Sequence, residues 1–172
     1  MKKFMTMRAM LLAIVCVGAM FTSCDDDDDV KTTPAAKSVE GSYTGKLTCA
    51  IMNKQLEFDN QTYKIEAVDD ANVKVTIPQF EYKMGSGEAA VSMMVPEIVV
   101  EGVKVAGSDG KYALAETSYS VDYKNGAFDG AYAGIVKGSV EGNTLTLNFT
   151  TQFTGKPISM PMALTCVFTG SK

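Results

Sequence analysis

Two pairs of carboxylates, Glu97 with Glu101 and Asp122 with Asp129, are spaced so that they could do acid–base chemistry. A glycosidase needs little more than two such groups facing each other across a cleft. Other catalysis is harder to assemble, because the sequence holds no histidine. That removes the commonest general base and the commonest transition-metal ligand together. No Ser-His-Asp or Cys-His arrangement can form. Zinc would depend on cysteines and carboxylates alone, and Cys16, Cys24, Cys49 and Cys166 show no C-x-x-C spacing. Gly85-Ser86-Gly87 is too short for a phosphate loop and opens no helix. Both acidic pairs fall at strand ends or in loops, where solubilising surface charge is the natural reading. The expectation is a protein that is not an enzyme and takes no cofactor and no metal.

Cys24 carries chemistry of a different kind. Met1 to Arg8 holds Lys2, Lys3 and Arg8 and no acid, and Ala9 to Phe21 is then free of charge. A basic start before a short apolar run is the form of an export signal, and the run is shorter than the ~20 residues a transmembrane helix needs. Phe21-Thr22-Ser23-Cys24 resembles the lipobox of bacterial lipoproteins, with Phe21 where Leu is commoner. The resemblance implies cleavage before Cys24 and acylation of its sulfur; a periplasmic signal that happens to contain Cys24 is the alternative. Each buried CH2 of an acyl chain contributes ~0.8 kcal/mol, and stable anchoring takes more than one chain. Asp25 to Asp29 is a run of like charges, and Val30 to Lys37 adds Pro and small polar residues, so the stretch reads as a solvated tether. Acids just after the lipidated cysteine also resemble the signal that sends lipoproteins of some gut Gram-negative bacteria to the outer face. The expected organisation is a signal peptide over 1–23, a lipidated Cys24 with a flexible tether over 24–37, and a folded domain over 38–172. Its expected place is the outer membrane, facing the exterior.

Without the signal, thirteen basic residues stand against twenty acids, a formal charge of −7. The sole arginine, Arg8, leaves with the signal. No basic patch remains to attract nucleic acid.

The domain reads as all-β. Runs rich in Val, Ile, Thr and Tyr recur between turn residues, and no long segment has a period near 3.6. In Gly41 to Ile51, Tyr43, Gly45, Leu47, Cys49 and Ile51 share one face. Thr144 to Phe153 places Leu145, Leu147, Phe149 and Phe153 together, and the last run does the same with Met160, Met162, Leu164, Cys166 and Phe168. Further strands are expected over 57–67, 73–77, 80–84, 90–95, 98–105, 112–123 and 131–141. Pro78 and Pro96 lack a backbone donor and mark breaks, bulges or edges. Eight to ten antiparallel strands with one apolar face must stack as a sandwich or close as a barrel.

The opening GSYTGKL, the middle PEIVVEGVKVAGSDGKYAL, then GSVEGNTLTL and the closing MALTCVFTG resemble, in order and spacing, the calycin-like β-barrel domain of gut-bacterial lipoproteins. The resemblance covers nearly all of Val39 to Gly170. It implies a single up-and-down antiparallel barrel, similar to lipocalins and avidins, and brings no catalytic or binding residues with it. In such a meander the first and last strands pair. Cys49 and Cys166 would then lie on the apolar face of neighbouring strands, where opposed positions meet the geometry of a disulfide; two free thiols acting as core hydrophobes are the alternative. A barrel this size is filled by side chains or holds one small ligand. The candidate lining residues are Tyr43, Leu47, Tyr132, Val136, Leu147, Phe149, Met160, Met162 and Leu164, with Gly45, Gly134 and Gly138 leaving room. The expected partners are a membrane, through the lipid, and a small apolar or amphipathic ligand bound by a monomer. A scaffold or adhesion module binding glycan or protein on its loops is the second reading, and without tryptophan its stacking would rest on tyrosines.

Overall fold

The computed structural model describes residues 33–52, 54–84, 91–126, 128–158 and 163–172. A helical turn, α1 (Ala35–Val39), leads into β1 (Gly41–Ile51), β2 (Lys54–Ala67), β3 (Asn72–Ile77), β4 (Phe80–Met84) and β5 (Val91–Val95). The chain continues through β6 (Ile98–Ser108), β7 (Lys111–Asn125), β8 (Phe128–Glu141), β9 (Thr144–Lys156) and β10 (Ala163–Ser171). The expected strands are all present, several of them longer than the apolar alternation alone marked. Ala35 to Lys37, assigned from sequence to the tether, belong to α1 instead. Ala36 and Val39 are buried there, so the apolar positions of this stretch pack on the barrel.

Eight strands close in the order β1-β10-β9-β8-β7-β6-β3-β2, and β4 and β5 form a separate two-stranded ribbon. Each barrel strand buries alternate residues, the period-2 signature of a sheet with one apolar face; β10, for example, buries Leu164, Cys166, Phe168 and Gly170 and exposes the residues between. Closure needs strands that bend, and three bulges supply it. They fall in β2 opposite Gly45 and Leu47, in β6 opposite Val73 and Val75, and in β7 opposite Gly138 and Val136. The first two contain a residue at positive φ, Asn60 (56°) and Gly102 (69°).

The barrel is sealed where β1 meets β10. Gly45 faces Gly170, Leu47 faces Phe168, and Cys49 faces Cys166. The two cysteines are bonded as a disulfide with their Cα atoms 4.1 Å apart, the close approach of directly opposed strands. Inside, Tyr43, Leu47, Tyr63, Ile65, Leu147 and Phe168 are wholly buried in one continuous apolar core.

The two ends of the barrel carry different covers. α1 lies where β1 begins and β10 ends. From inside the barrel the Tyr43 hydroxyl donates to the Val39 carbonyl (2.6 Å), and Lys172 Nζ donates to the carbonyls of Ser38 (3.2 Å) and Glu40 (2.9 Å). At the opposite end the chain leaves the barrel after Ile77 and returns at Ile98, making the ribbon on the way. Pro78 and Pro96 stand at the two exits. Lacking N–H donors, they end the β3–β6 ladder and let the ribbon turn away.

Candidate functional site

The ribbon is built like a flap. Its ladder pairs Phe80 with Val95, Glu81 with Met94 and Tyr82 with Met93. Alternation therefore puts Phe80, Tyr82, Met93 and Val95 on one face, all buried, while Glu81, Lys83, Ser92 and Met94 face out. An isolated two-stranded hairpin is marginal in water, so this buried face is what holds the ribbon down. Phe80 packs on Phe58 of β2 with ring centroids 5.4 Å apart, and the Tyr132 hydroxyl donates to the Met94 carbonyl (2.9 Å). Beneath it the ends of β7, β8 and β9 bring together an aromatic cluster. Tyr123 meets Tyr132 edge-on at 5.4 Å, and Phe153 packs against Tyr132 at 5.1 Å, Phe128 at 6.0 Å and Tyr123 at 6.2 Å. Burial holds the Tyr132 and Tyr82 phenols above their ordinary range.

Along the side of the ribbon, next to the cluster, lies an open crevice of about 160 Å3. Met93, Met94, Tyr123 and Phe128 give it apolar walls, and Glu81, Ser92 and Asn125 give it polar groups. Ser92 donates to the Glu81 carboxylate, and the Asn125 amide donates to the Tyr123 hydroxyl (3.2 Å).

A second polar feature lies within the core. Tyr119 faces Gly134 across β7–β8 and donates to the Thr150 carbonyl (2.7 Å). A Cβ at Gly134 would collide with that carbonyl and come within 3.0 Å of the phenol, so the glycine is what lets Tyr119 lie across the strand. Beside it on β9, Thr151 is wholly buried. Its hydroxyl is near enough to favour the ionised Tyr119 phenol slightly, against burial, which pushes that phenol up to about 12; it meets the geometry of a hydrogen bond with no partner among the described residues. The Tyr63 phenol, wholly buried and stacked on Phe168 with centroids 3.8 Å apart, also has no hydrogen-bond partner among the described residues. An unpaired buried hydroxyl costs about 1–3 kcal/mol.

Residues 39–171 match the sequence model of the calycin-like beta-barrel domain. The chain belongs to the calycin-like β-barrel family. Among solved structures, this calycin-like barrel is similar to the crystal structure of a protein of Bacteroides fragilis NCTC 9343, provisionally described as an outer membrane protein. The two are 21% identical with a TM-score of 0.57, over 82% of this chain and 54% of that one. The chain thus spans about half the length of that protein, and the likeness is one of fold. No curated protein matches it.

Within the calycin-like barrel, the expected lining residues Tyr43, Leu47, Tyr132, Val136, Leu147, Phe149 and Leu164 all point inward and are buried. They pack on one another as core, and Tyr132 also reaches the ribbon. Met160, Met162 and Cys24 lie outside the described residues. The room expected from glycine is filled. Cβ atoms at Gly45 and Gly138 would strike the neighbouring strand at Thr169 and Thr146, so these glycines serve close strand approach at bends. The acidic pairs stay on the surface: Glu97, Glu101, Asp122 and Asp129 are exposed, and Asp129 pairs with Lys124 (3.1 Å). Sequence reasoning did not single out Tyr63, Tyr119 or Thr151 for the interior. The signal for Thr151 was present, since it occupies the inward position between Phe149 and Phe153.

Proposed function

We propose that the chain is a lipoprotein anchored through Cys24 in the outer membrane and facing the cell exterior, and that it is a non-enzymatic, monomeric protein binding a small apolar or amphipathic molecule at the ribbon-covered end of its barrel. The carrying observation is the open crevice along the side of the ribbon next to the aromatic cluster, with Met and aromatic walls and polar groups at Glu81, Ser92 and Asn125. Methionine adapts its shape to apolar partners, and a largely apolar pocket with a few fixed polar groups is the usual form of a small-molecule site. The chain enters the barrel at the α1 end, so a tether to Cys24 is attached there and the ribbon lies at the far end. Exposure of the candidate carboxylates, with Asp129 engaged by Lys124, favours binding over catalysis.

Native mass spectrometry of protein extracted from its own cells, followed by a denatured mass, tests the reading. A retained mass that disappears on denaturation, and is lost when Met94→Trp fills the crevice, is the expected result. The denatured mass should carry the lipid on Cys24. A bare barrel would instead favour a surface module, for which the packed interior and the exposed Met52, Val91 and Met94 speak.

A further inference from the structure

We infer that the ligand of the ribbon crevice is an organic cation, an ammonium group carried on an apolar body; this narrows the function proposed above and rests on it. Glu81 supplies the only charge in the lining of the crevice. It stands on the outward face of β4, in register with Met94, and the Ser92 hydroxyl donates to its Oε1. That bond positions the carboxylate without neutralising it. The ion pairs among the described residues leave Glu81 out. Lys124, next in sequence to Tyr123, is held by Asp129 instead (3.1 Å). The crevice therefore presents a fixed negative charge whose counter-ion is not supplied by the described residues.

The walls suit a cation as well. Tyr123 and Phe128 meet Phe153 close to edge-on, at 87° and 78° with centroids 6.2 and 6.0 Å away, so packing on a third ring fixes two of the rings that line the crevice. An ammonium within ~6 Å of an aromatic face is attracted by the ring quadrupole. Met93 and Met94 add polarisable thioether contacts for the carbon body. The donors are largely spent: Ser92 donates to Glu81, and the Asn125 amide donates to the Tyr123 hydroxyl (3.2 Å). The strongest group left for a ligand is thus a charged acceptor, which an N–H donor carrying positive charge satisfies best. An anionic amphiphile such as a fatty acid would bring a second negative charge beside Glu81, in a chain whose formal charge is already −4. A neutral alcohol could bond there but would gain nothing from the charge.

Three probes share one body and differ in charge: 2-phenylethylammonium, 2-phenylethanol and 3-phenylpropionate. Each is titrated into the full-length protein labelled at its methionine methyls, and the Met93 and Met94 resonances report binding at the crevice. The ammonium should bind about fivefold more tightly than the alcohol, and the carboxylate most weakly. Its advantage should shrink as salt is raised from about 0.1 M to about 1 M, where the screening length falls from ~10 Å to ~3 Å. Glu81→Gln should bring the ammonium down to the level of the alcohol. Glu81→Lys should reverse the order in favour of the carboxylate, with circular dichroism checking the fold of both variants. If the alcohol or the carboxylate binds as tightly as the ammonium, or the order survives both variants, the ligand is not a cation; this inference is then overturned while the crevice remains a binding site. If none of the three probes moves the Met93 and Met94 resonances, the crevice takes no small amphipathic molecule, and the proposed function falls together with the inference.

Discussion

At the α1 end the cover is tied to the barrel through main-chain carbonyls. Tyr43 reaches out from the core to Val39, and Lys172 reaches across from the last strand to Ser38 and Glu40. At the other end the cover is a ribbon with its own ladder, laid apolar face down on aromatic rings and joined by Tyr132 at Met94. The first arrangement is directional, and a shift of α1 would break a buried hydrogen bond. The second is mostly area, and apolar area tolerates sliding because the hydrophobic effect has no direction. The crevice with its Met and aromatic walls lies at this second end.

Alkali should break both ends at once. Burial raises the phenols of Tyr43 and Tyr119 from an ordinary 10.0 to about 12 and pushes Tyr63 and Tyr132 up as well. Folded values above unfolded ones mean that the unfolded chain sheds protons first. The stabilisation is fully present below pH ~10 and is lost as pH rises through about 12. Unfolding should therefore set in between those values, with part of the phenolate absorbance near 295 nm appearing only as circular dichroism is lost. Buried tyrosines that titrate while the strand signal is intact would contradict this.

Opening the seam comes next in size. The Cys49–Cys166 disulfide spans 117 residues, and a loop of that length is worth about 4–5 kcal/mol in the chain-entropy model. Urea titrations with and without reductant should differ by about that much. The oxidised chain should weigh two hydrogens less than the reduced one. Because the seam runs along the barrel, both ends should lose protection together. Gly134→Ala should cost about 1–3 kcal/mol or more, since its Cβ meets the Thr150 backbone and the Tyr119 phenol. A neutral result in a chemical melt would mean that β8 and β9 can part there.

The contrast between the ends also explains what could be read in advance. Strict alternation in GSYTGKLTCAI and TLTLNFTTQF fixes which residues point inward, and Pro78 and Pro96 mark breaks, bulges or edges in the sheet without saying which. Joining the first strand to the last brings Cys49 and Cys166 to neighbouring strands, but only the register of the folded sheet decides between a disulfide and two free thiols. Which elements cover the ends does not follow, because that depends on where a closed sheet places residues remote in sequence. AAKSV reads as the end of a tether until the barrel offers Ala36 and Val39 a surface. The ribbon reads as two more strands of the meander, since its period-2 pattern is that of its neighbours. Glycine misled for a related reason. An inward glycine means absence of a side chain in sequence, but in the fold the space is taken by the next strand or by Tyr119.

The sharpest test of the comparison is a matched pair that removes one hydroxyl from each end. Tyr43→Phe leaves the buried Val39 carbonyl without its donor and should cost about 1–3 kcal/mol of global stability. Tyr132→Phe frees the Met94 carbonyl at a part-buried position, where water can replace the donor, so the global cost should be about 0.5–1.5 kcal/mol. Local effects should run the other way. Native-state hydrogen exchange should speed up selectively in Phe80–Met84 and Val91–Val95 for Tyr132→Phe, with barrel amides little changed. In Tyr43→Phe protection should fall across the barrel with the global stability. If both variants loosen the ribbon and the barrel equally, the ends are one cooperative unit and the ribbon is no freer than α1. If the ribbon alone opens, its movement can admit a ligand without unfolding the barrel beneath.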